Sequence, residues 1–174
     1  MLNIFVNTWG NYNENGADGG EWITLPMEAE ELEEVLENIA KKMGDNDAEW
    51  AIHDYEWTCD WEGFEISEYD NIQEINEHCL KLSELDDNES RVYAAAVEYF
   101  GKEYVDIDDL DDFNLYTDIT DNYDLGYYWA VDSGCYNTQD MGALGCYIDY
   151  EAFGRDIALE ADGGFGSYGF IERC

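Results

Sequence analysis

Basic residues are scarce in this 174-residue chain: 7 Lys and Arg stand against 43 Asp and Glu, which gives a formal net charge of -36 at pH 7. A charge of this size and sign repels nucleic acid and anionic membranes, and it leaves cationic surfaces as the natural partners. Self-repulsion also opposes folding. We therefore expect a basic protein surface as the partner, and neither nucleic acid nor a membrane.

Other residue types are also scarce. The single Pro provides no Pro-rich linker to mark a domain boundary. Five Cys without a C-x-x-C pair favour reduced thiols over a disulfide framework or a structural zinc site. No apolar run approaches the roughly 18 residues of a membrane span, and the N-terminus lacks the basic and apolar regions of a signal peptide. We expect a cytoplasmic protein.

Large aliphatic residues are only moderately frequent, since Leu, Ile, Val and Phe make up 37 of the 174 residues. This is close to the roughly 20% below which acidic chains are disordered. The chain also contains 14 Tyr and 6 Trp, however, and large rings each bury about 150–250 Å². The aromatic content predicts a folded protein.

The first 60 residues have the clearest periodicity. Alternating or apolar runs predict strands at Leu2–Thr8, 22–25 and Trp50–Trp57, with a Gly/Asn-rich turn over 11–20. Between the last two strands, apolar residues at helical spacing precede Lys41, Lys42 and a predicted C-cap at Gly44. These apolar residues are Leu32, Val35, Leu36, Ile39 and Met43. The pattern predicts a three-stranded sheet packed against one helix.

The rest of the chain is less regular. Two helical stripes follow, one at Ile72, Ile75, Cys79 and Leu82 and another at Val92, Ala95, Ala96 and Tyr99. The C-terminal part mixes aromatic runs with a short helix over 150–158 and a strand over 165–173. We predict an α+β fold class, in an elongated chain of three small units. These are an α+β domain over 1–61, a helical domain over 62–103 and an α+β domain over 104–174.

The carboxylates are dispersed through every predicted element and do not form a tail, so the charge belongs to the folded surface. At one charge per roughly 1.7 Å of duplex axis, 36 charges correspond to about 60 Å of DNA. Charge by itself leaves open a DNA-like surface, a solvated acidic face and adaptation to high salt. The candidate DNA-mimic surface comprises Glu30, Glu31, Glu33, Glu34, Glu37, Asp45, Asp47, Glu49, Asp86, Asp87, Asp106, Asp108, Asp109, Asp111, Asp112, Asp118, Asp121 and Asp124.

No pattern in the sequence predicts a catalytic, cofactor or metal site. A twelve-residue calcium loop beginning at Asn11 has Trp22 where a bidentate Glu is required. A loop beginning at Asp45 has Trp50 where Gly permits the sharp bend. The two His lack metal-ligand spacing. We expect no enzyme. A calcium or cation buffer, or a general acidic interaction or chaperone protein, remains an alternative.

Short motifs along the chain resemble the ArdA antirestriction family. They are YN at 12–13, GEWI-x-LP at 20–26, YDNI at 69–72, YIDYEAFGRD at 147–156 and GFI at 169–171. Their order and spacing cover nearly the whole chain, and they are most extensive near the C-terminus.

This resemblance implies an elongated, curved protein of three small domains that dimerises. It also implies that the protein occupies the DNA-binding groove of Type I restriction-modification enzymes, on their specificity and methyltransferase core. The family's dimer contact lies in the C-terminal domain, which makes apolar and aromatic residues there the candidates for a homodimer interface. They are Tyr127, Tyr128, Trp129, Met141, Ala143 and Leu144.

Overall fold

Two three-stranded antiparallel sheets with accompanying helices give the predicted α+β fold class. The computed structural model describes residues 1–45, 48–58, 64–136 and 138–174, with backbone only for 138–141. The strands are β1 (Leu2–Thr8), β2 (Glu21–Leu25), β3 (Trp50–Trp57), β4 (Phe113–Tyr116), β5 (Gly163–Gly166) and β6 (Gly169–Arg173). The helices are α1 (Trp9–Asn15), α2 (Ala29–Met43), α3 (Ile72–Glu84), α4 (Asp87–Phe100), α5 (Asn122–Tyr127) and α6 (Tyr150–Glu160).

The first sheet has the order β2-β1-β3, with β1 antiparallel to both neighbours. Alternation in β1 buries Leu2, Ile4 and Val6 on one face, as the period of two requires. Ile4 lies opposite Ile23 on β2 and Tyr55 on β3. The three strands predicted in the first 60 residues are confirmed.

Helix α2 covers the apolar face of this sheet through Leu32, Leu36 and Ile39, all buried in the same cluster as the strand residues. Gly44 ends the helix in the left-handed region, at φ 73°, and its N–H bonds back to the carbonyls of Ala40 and Lys41. A residue with a Cβ is disfavoured there, so Gly is the expected cap. Both the helix and its C-cap are confirmed.

The prediction of a turn over 11–20 was wrong in part, because α1 occupies Trp9–Asn15. The Thr8 side chain caps this helix by accepting a hydrogen bond from the Asn11 N–H at 3.1 Å. Asn11 is itself buried, and its amide donates to Asn7 Oδ1 at 2.9 Å. The Gly/Asn-rich composition predicts a turn, but an N-cap and side-chain amide hydrogen bonds stabilise a helix there.

The second sheet has the order β4-β6-β5. The strand predicted over 165–173 is in fact a hairpin of β5 and β6, in which Phe165 lies opposite Phe170. Strand β4 was not predicted. The short helix predicted over 150–158 is confirmed as α6. Shorter elements complete the chain: 3₁₀ turns at Lys102–Tyr104, Leu110–Asp112 and within Thr138–Tyr147, and a π-helical turn at Tyr128–Asp132.

Helices α5 and α6 approach each other unusually closely at two glycines. A Cβ added to Gly126 lies 1.9 Å from the Tyr150 carbonyl oxygen, and one added to Gly154 lies 1.8 Å from the Asn122 carbonyl oxygen. Both obstacles are backbone atoms, which cannot rotate away as a side chain can. Only glycine therefore fits at either position.

The chain forms two compact units, Met1–Asp86 and Asp87–Cys174. Helix α3 belongs to the first unit and α4 to the second, although the sequence placed both in one helical domain. The division into domains over 1–61, 62–103 and 104–174 stays a prediction.

Candidate acidic protein interface

The residues of the candidate DNA-mimic surface lie almost entirely at the protein surface. Fifteen of the eighteen side chains are exposed, and Asp45 and Asp124 are half-buried. Asp47 lies outside the described residues. Most of the described carboxylates in this set therefore face solvent.

The acidic face of α2 is the most regular part of this surface. Burial of Leu32, Leu36 and Ile39 orients the helix, so the carboxylates between them in the sequence point away from the core. Five carboxylates, the first at Glu30 and the last at Glu37, span about 10 Å along the helix axis. This is one charge per roughly 2 Å, close to the 1.7 Å per charge of duplex DNA.

Basic residues on this helix neutralise only its C-terminal end. Lys41 Nζ lies 3.0 Å from Glu37 Oε2, and Lys42 Nζ contacts Glu21 Oε1 at 2.6 Å. Three of the four side chains are largely exposed and that of Glu21 is 39% exposed, so each pair contributes about 0–1 kcal/mol. Glu30, Glu31, Glu33 and Glu34 therefore keep an uncompensated field at the other end of the helix.

A second run of carboxylates spans Asp106–Asp112 in the C-terminal unit. Val105, Ile107 and Phe113 are buried, which anchors the segment and directs the intervening Asp side chains outward. The backbone turns on itself there, and the Asp108 N–H donates to Asp106 Oδ1 at 3.0 Å. Five exposed Asp side chains consequently occupy seven positions, without any helical periodicity to predict their direction.

Some carboxylates also have a structural role. Asp121 Oδ1 caps α5 by accepting from the Asp124 N–H at 2.9 Å, while Asp124 Oδ2 accepts from the N–H and hydroxyl of Thr120. Glu98, which the sequence did not single out, accepts from both the N–H and the hydroxyl of Ser167, the shortest distance being 2.6 Å. An Asp immediately before a helix is a recognisable N-cap signal. No local signal predicts the Glu98 contact.

Arg173 is turned toward aromatic rings in the same unit. Its guanidinium lies 4.8 Å from the Phe100 ring centre and 5.2 Å from that of Phe113, and it donates to the Tyr104 carbonyl at 3.0 Å. Stacking on aromatic faces is a favoured environment for this planar cation. This Arg thus contributes to packing.

A half-buried phenol in the C-terminal unit lies beside a carboxylate. Burial raises the pKa of Tyr116 well above its ordinary value of 10.0, and the nearby Glu172 carboxylate raises the pKa further. The Tyr116 hydroxyl donates to Glu172 Oε1 at 3.1 Å, which requires the phenol to be neutral. The pair stays hydrogen-bonded at neutral pH.

The six candidate dimer residues occupy different environments. Tyr127 and Leu144 are 40% and 71% exposed, and Ala143 is exposed as well. Tyr128 and Trp129 are half-buried and pack against the cluster around Phe170. The side chain of Met141 lies outside the description. The structure thus divides the set into surface residues and residues that also serve the core.

Within the described ranges, no group of three or more His, Cys, Asp and Glu side chains is arranged to hold a metal ion. His53 Nδ1 lies 3.3 Å from Glu68 Oε1, and its ring stacks on Tyr12 at 4.1 Å. None of the described helices is both long and apolar enough to cross a bilayer.

The charge surplus is shared by both compact units. The first has 23 Asp and Glu against three Lys, a net charge of -20, and the second has 20 against four basic residues, a net charge of -16. Each unit is therefore strongly acidic by itself.

Comparison with protein families assigns this acidic chain to a class. A family model described as antirestriction protein matches residues 4–172, nearly the whole length, and the class is one of inhibitors of restriction. The chain belongs to the ArdA family of these proteins. A comparison with curated proteins gave no significant match. The resemblance inferred from the short motifs is confirmed.

Proposed function

We propose that this protein is a DNA mimic that competitively occupies the DNA-binding groove of Type I restriction-modification enzymes. Its exposed carboxylates take the places of DNA phosphates against the Lys and Arg side chains of the enzyme's specificity and methyltransferase core. Binding requires no chemical step in either protein. The acidic face of α2, with one charge per roughly 2 Å, is the observation that carries this proposal.

The energetics follow those of DNA binding. Docking a polyanionic surface onto a cationic groove releases counterions, so affinity falls steeply as salt rises. Complementary fields also accelerate the encounter of the two proteins. Because the contacts are distributed over exposed carboxylates, each contributes roughly 0–1 kcal/mol. No single carboxylate is indispensable.

A competition experiment tests the proposal directly. The purified chain is added to a Type I specificity and methyltransferase core complex bound to a fluorescent duplex, and displacement is followed by anisotropy between about 50 and 200 mM salt, the range over which DNA binding changes steeply. We expect competitive displacement, with an affinity that falls linearly on a log-log plot against salt. An affinity insensitive to ionic strength, or no displacement, contradicts the proposal.

Two matched blocks of substitutions locate the contact. One converts Glu30, Glu31, Glu33, Glu34 and Glu37 to Gln, and the other converts Asp106, Asp108, Asp109, Asp111 and Asp112 to Asn. Each removes five charges, so a purely global field effect weakens inhibition equally. If α2 lies in the groove, its block lowers the salt slope by several units, at about one unit per lost phosphate-like contact.

We also propose a homodimer that uses the exposed apolar residues of the C-terminal unit. Tyr127, Ala143 and Leu144 support this because all three are exposed, and exposed apolar side chains are candidates for an interaction surface. Two copies carry the charge of about 120 Å of duplex. Sedimentation equilibrium should give twice the 20.0 kDa chain mass, and a monomer at micromolar concentration contradicts the dimer.

A further inference from the structure

A groove beside the acidic face of α2 combines an apolar floor with a charged rim. Leu36, Ala40 and Ala48 line it together with the half-buried ring of Trp50. Its volume is about 270 Å³, below the roughly 300–1,000 Å³ typical of sites for drug-sized ligands. The groove is therefore of a size for one side chain of a partner.

The rim of this groove is anionic. Glu33 and Glu37 border it from α2, and Asp45 borders it from the segment after the helix. Glu37 already pairs with Lys41, and Asp45 is half-buried. Glu33 is exposed and has no hydrogen bond or ion pair within the described part of the chain. Of the three rim carboxylates, it is the one without such a contact among the described residues.

An indole ring in an otherwise aliphatic floor, bordered by carboxylates, complements a guanidinium group. The guanidinium of arginine is planar and stacks on aromatic faces while it binds carboxylates. Its aliphatic stem can lie on the apolar part of the floor. An ammonium group matches the rim charge but stacks less well on the ring.

We propose that this groove captures an arginine side chain of the basic partner surface, with the guanidinium over Trp50 and paired with Glu33. The inference rests on the proposed function for the identity of the partner, since it adds a specific anchor to an otherwise distributed electrostatic contact. Anchors of this kind in pockets, surrounded by weaker contacts, dominate many protein interfaces.

The first test needs no restriction enzyme. The ¹⁵N-labelled full chain is titrated with N-acetyl-argininamide at about 0.15 M salt, which screens the general field beyond about 8 Å. The readout is the indole N–H of Trp50, assigned with W50F. We expect a saturable shift of this signal. N-acetyl-lysinamide should bind at least about threefold more weakly than N-acetyl-argininamide, because a guanidinium stacks better on an aromatic ring than an ammonium does. Equal responses to the two amides overturn the proposal.

Matched variants separate the groove from the acidic surface. Glu33→Gln and Glu34→Gln remove the same charge from adjacent exposed positions of α2, but only Glu33 lines the groove. We expect Glu33→Gln to weaken argininamide binding about three- to fivefold, the scale of one exposed ion pair, and Glu34→Gln by less than about twofold. Equal effects contradict the anchor.

A steric variant gives an independent result. Ala40→Leu fills the groove without changing charge and should abolish the saturable shift, whereas Ala29→Leu, at the exposed start of the same helix, should preserve it. If Ala40→Leu does not fold, the Glu33 and Glu34 pair still decides.

The same four variants, measured against the Type I core complex, separate the two proposals. If the chain binds argininamide but does not displace the duplex, the arginine site beside α2 is supported and the Type I enzyme is refuted as the partner. If the chain displaces the duplex but does not bind argininamide, the Type I enzyme is supported and the arginine site is refuted.

Discussion

The two compact units carry similar negative charge but are built differently. The first unit buries aliphatic side chains of the β-sheet against α2 and α3, in a cluster that includes Ile4, Leu36 and Ile75. In the second, the described cluster around Leu125 and Phe170 includes a fully buried aromatic ring, whereas partly buried aromatic rings surround both clusters. Its helices α5 and α6 also meet backbone to backbone. A charge surplus of this size is thus compatible with two kinds of core.

The use of carboxylates differs in the same way. On α2 the acidic side chains are exposed, and among the described residues Glu37 is the one of them that pairs with a Lys of the helix. In the second unit Asp121 and Glu98 accept hydrogen bonds that fix a helix start and a hairpin turn. Net charge therefore does not distinguish a carboxylate available to a partner from one required by the fold.

The largest effect is expected at the contact between α5 and α6. Gly154→Ala places a methyl group 1.8 Å from a backbone oxygen, and we expect a loss of about 3 kcal/mol or more in unfolding free energy, at the upper end for overpacking. Thermal and urea denaturation followed by circular dichroism measure this loss.

Gly134→Ala is the control for Gly154→Ala. Gly134 has a φ of 74° but no atom within 4 Å of an added Cβ, so only backbone strain of about 1 kcal/mol is expected. Similar losses in the two variants contradict the close approach of the helices.

The next effect concerns a buried amide in the first unit. Asn76 on α3 is 2% exposed, and its side chain accepts from the Met27 N–H at 2.9 Å and donates to the Met27 carbonyl at 2.8 Å. Asn76→Ala leaves both backbone groups without this partner, and we expect a loss of about 2 kcal/mol in unfolding free energy.

Asn38→Ala makes the same exchange at an exposed position of α2. Helix propensity favours Ala at both sites, so the difference between the two variants isolates the hydrogen bonds. Urea denaturation of both proteins gives that difference, and a value near zero removes Asn76 as a link between α3 and the segment before α2.

Most elements of the first unit could be predicted from the sequence because one face of each is buried. Periods of 2 and 3.6 are visible wherever apolar and charged residues alternate, which is why β1, β3 and α2 were predicted. Helix α1 was missed because Asn7 and Asn11 are buried and hydrogen-bonded to each other. A segment that buries polar side chains has no periodic pattern of apolar residues.

The second unit was harder to predict for two physical reasons. Strand β5 has the sequence GGFG, which offers almost no side-chain alternation. The approach of Gly126 to α6 depends on residues 28 positions further along the chain, and periodicity carries no such information. The exposure of the acidic residues was predictable, since unpaired carboxylates are rarely buried. The structural role of a carboxylate such as Glu98 could not be predicted, because its partner Ser167 is distant in the sequence.

The smallest effect sharpens the distinction between the two kinds of carboxylate. Glu98→Ala and Glu34→Ala each remove one negative charge from an exposed helical position. Glu98 accepts hydrogen bonds from Ser167, so its loss should cost about 1 kcal/mol of unfolding free energy. Glu34 lies among like charges, so Glu34→Ala should raise the unfolding free energy by a few tenths of a kcal/mol.

Chemical denaturation of both variants measures stability, and displacement of duplex from the Type I core complex measures inhibition. We expect their stabilities to separate while their inhibition weakens only slightly in both, because each loses one exposed charge among many. Equal stabilities contradict a structural role for Glu98. Complete loss of inhibition in the Glu34 variant contradicts a distributed electrostatic contact, since a surface that mimics many phosphates tolerates the loss of one.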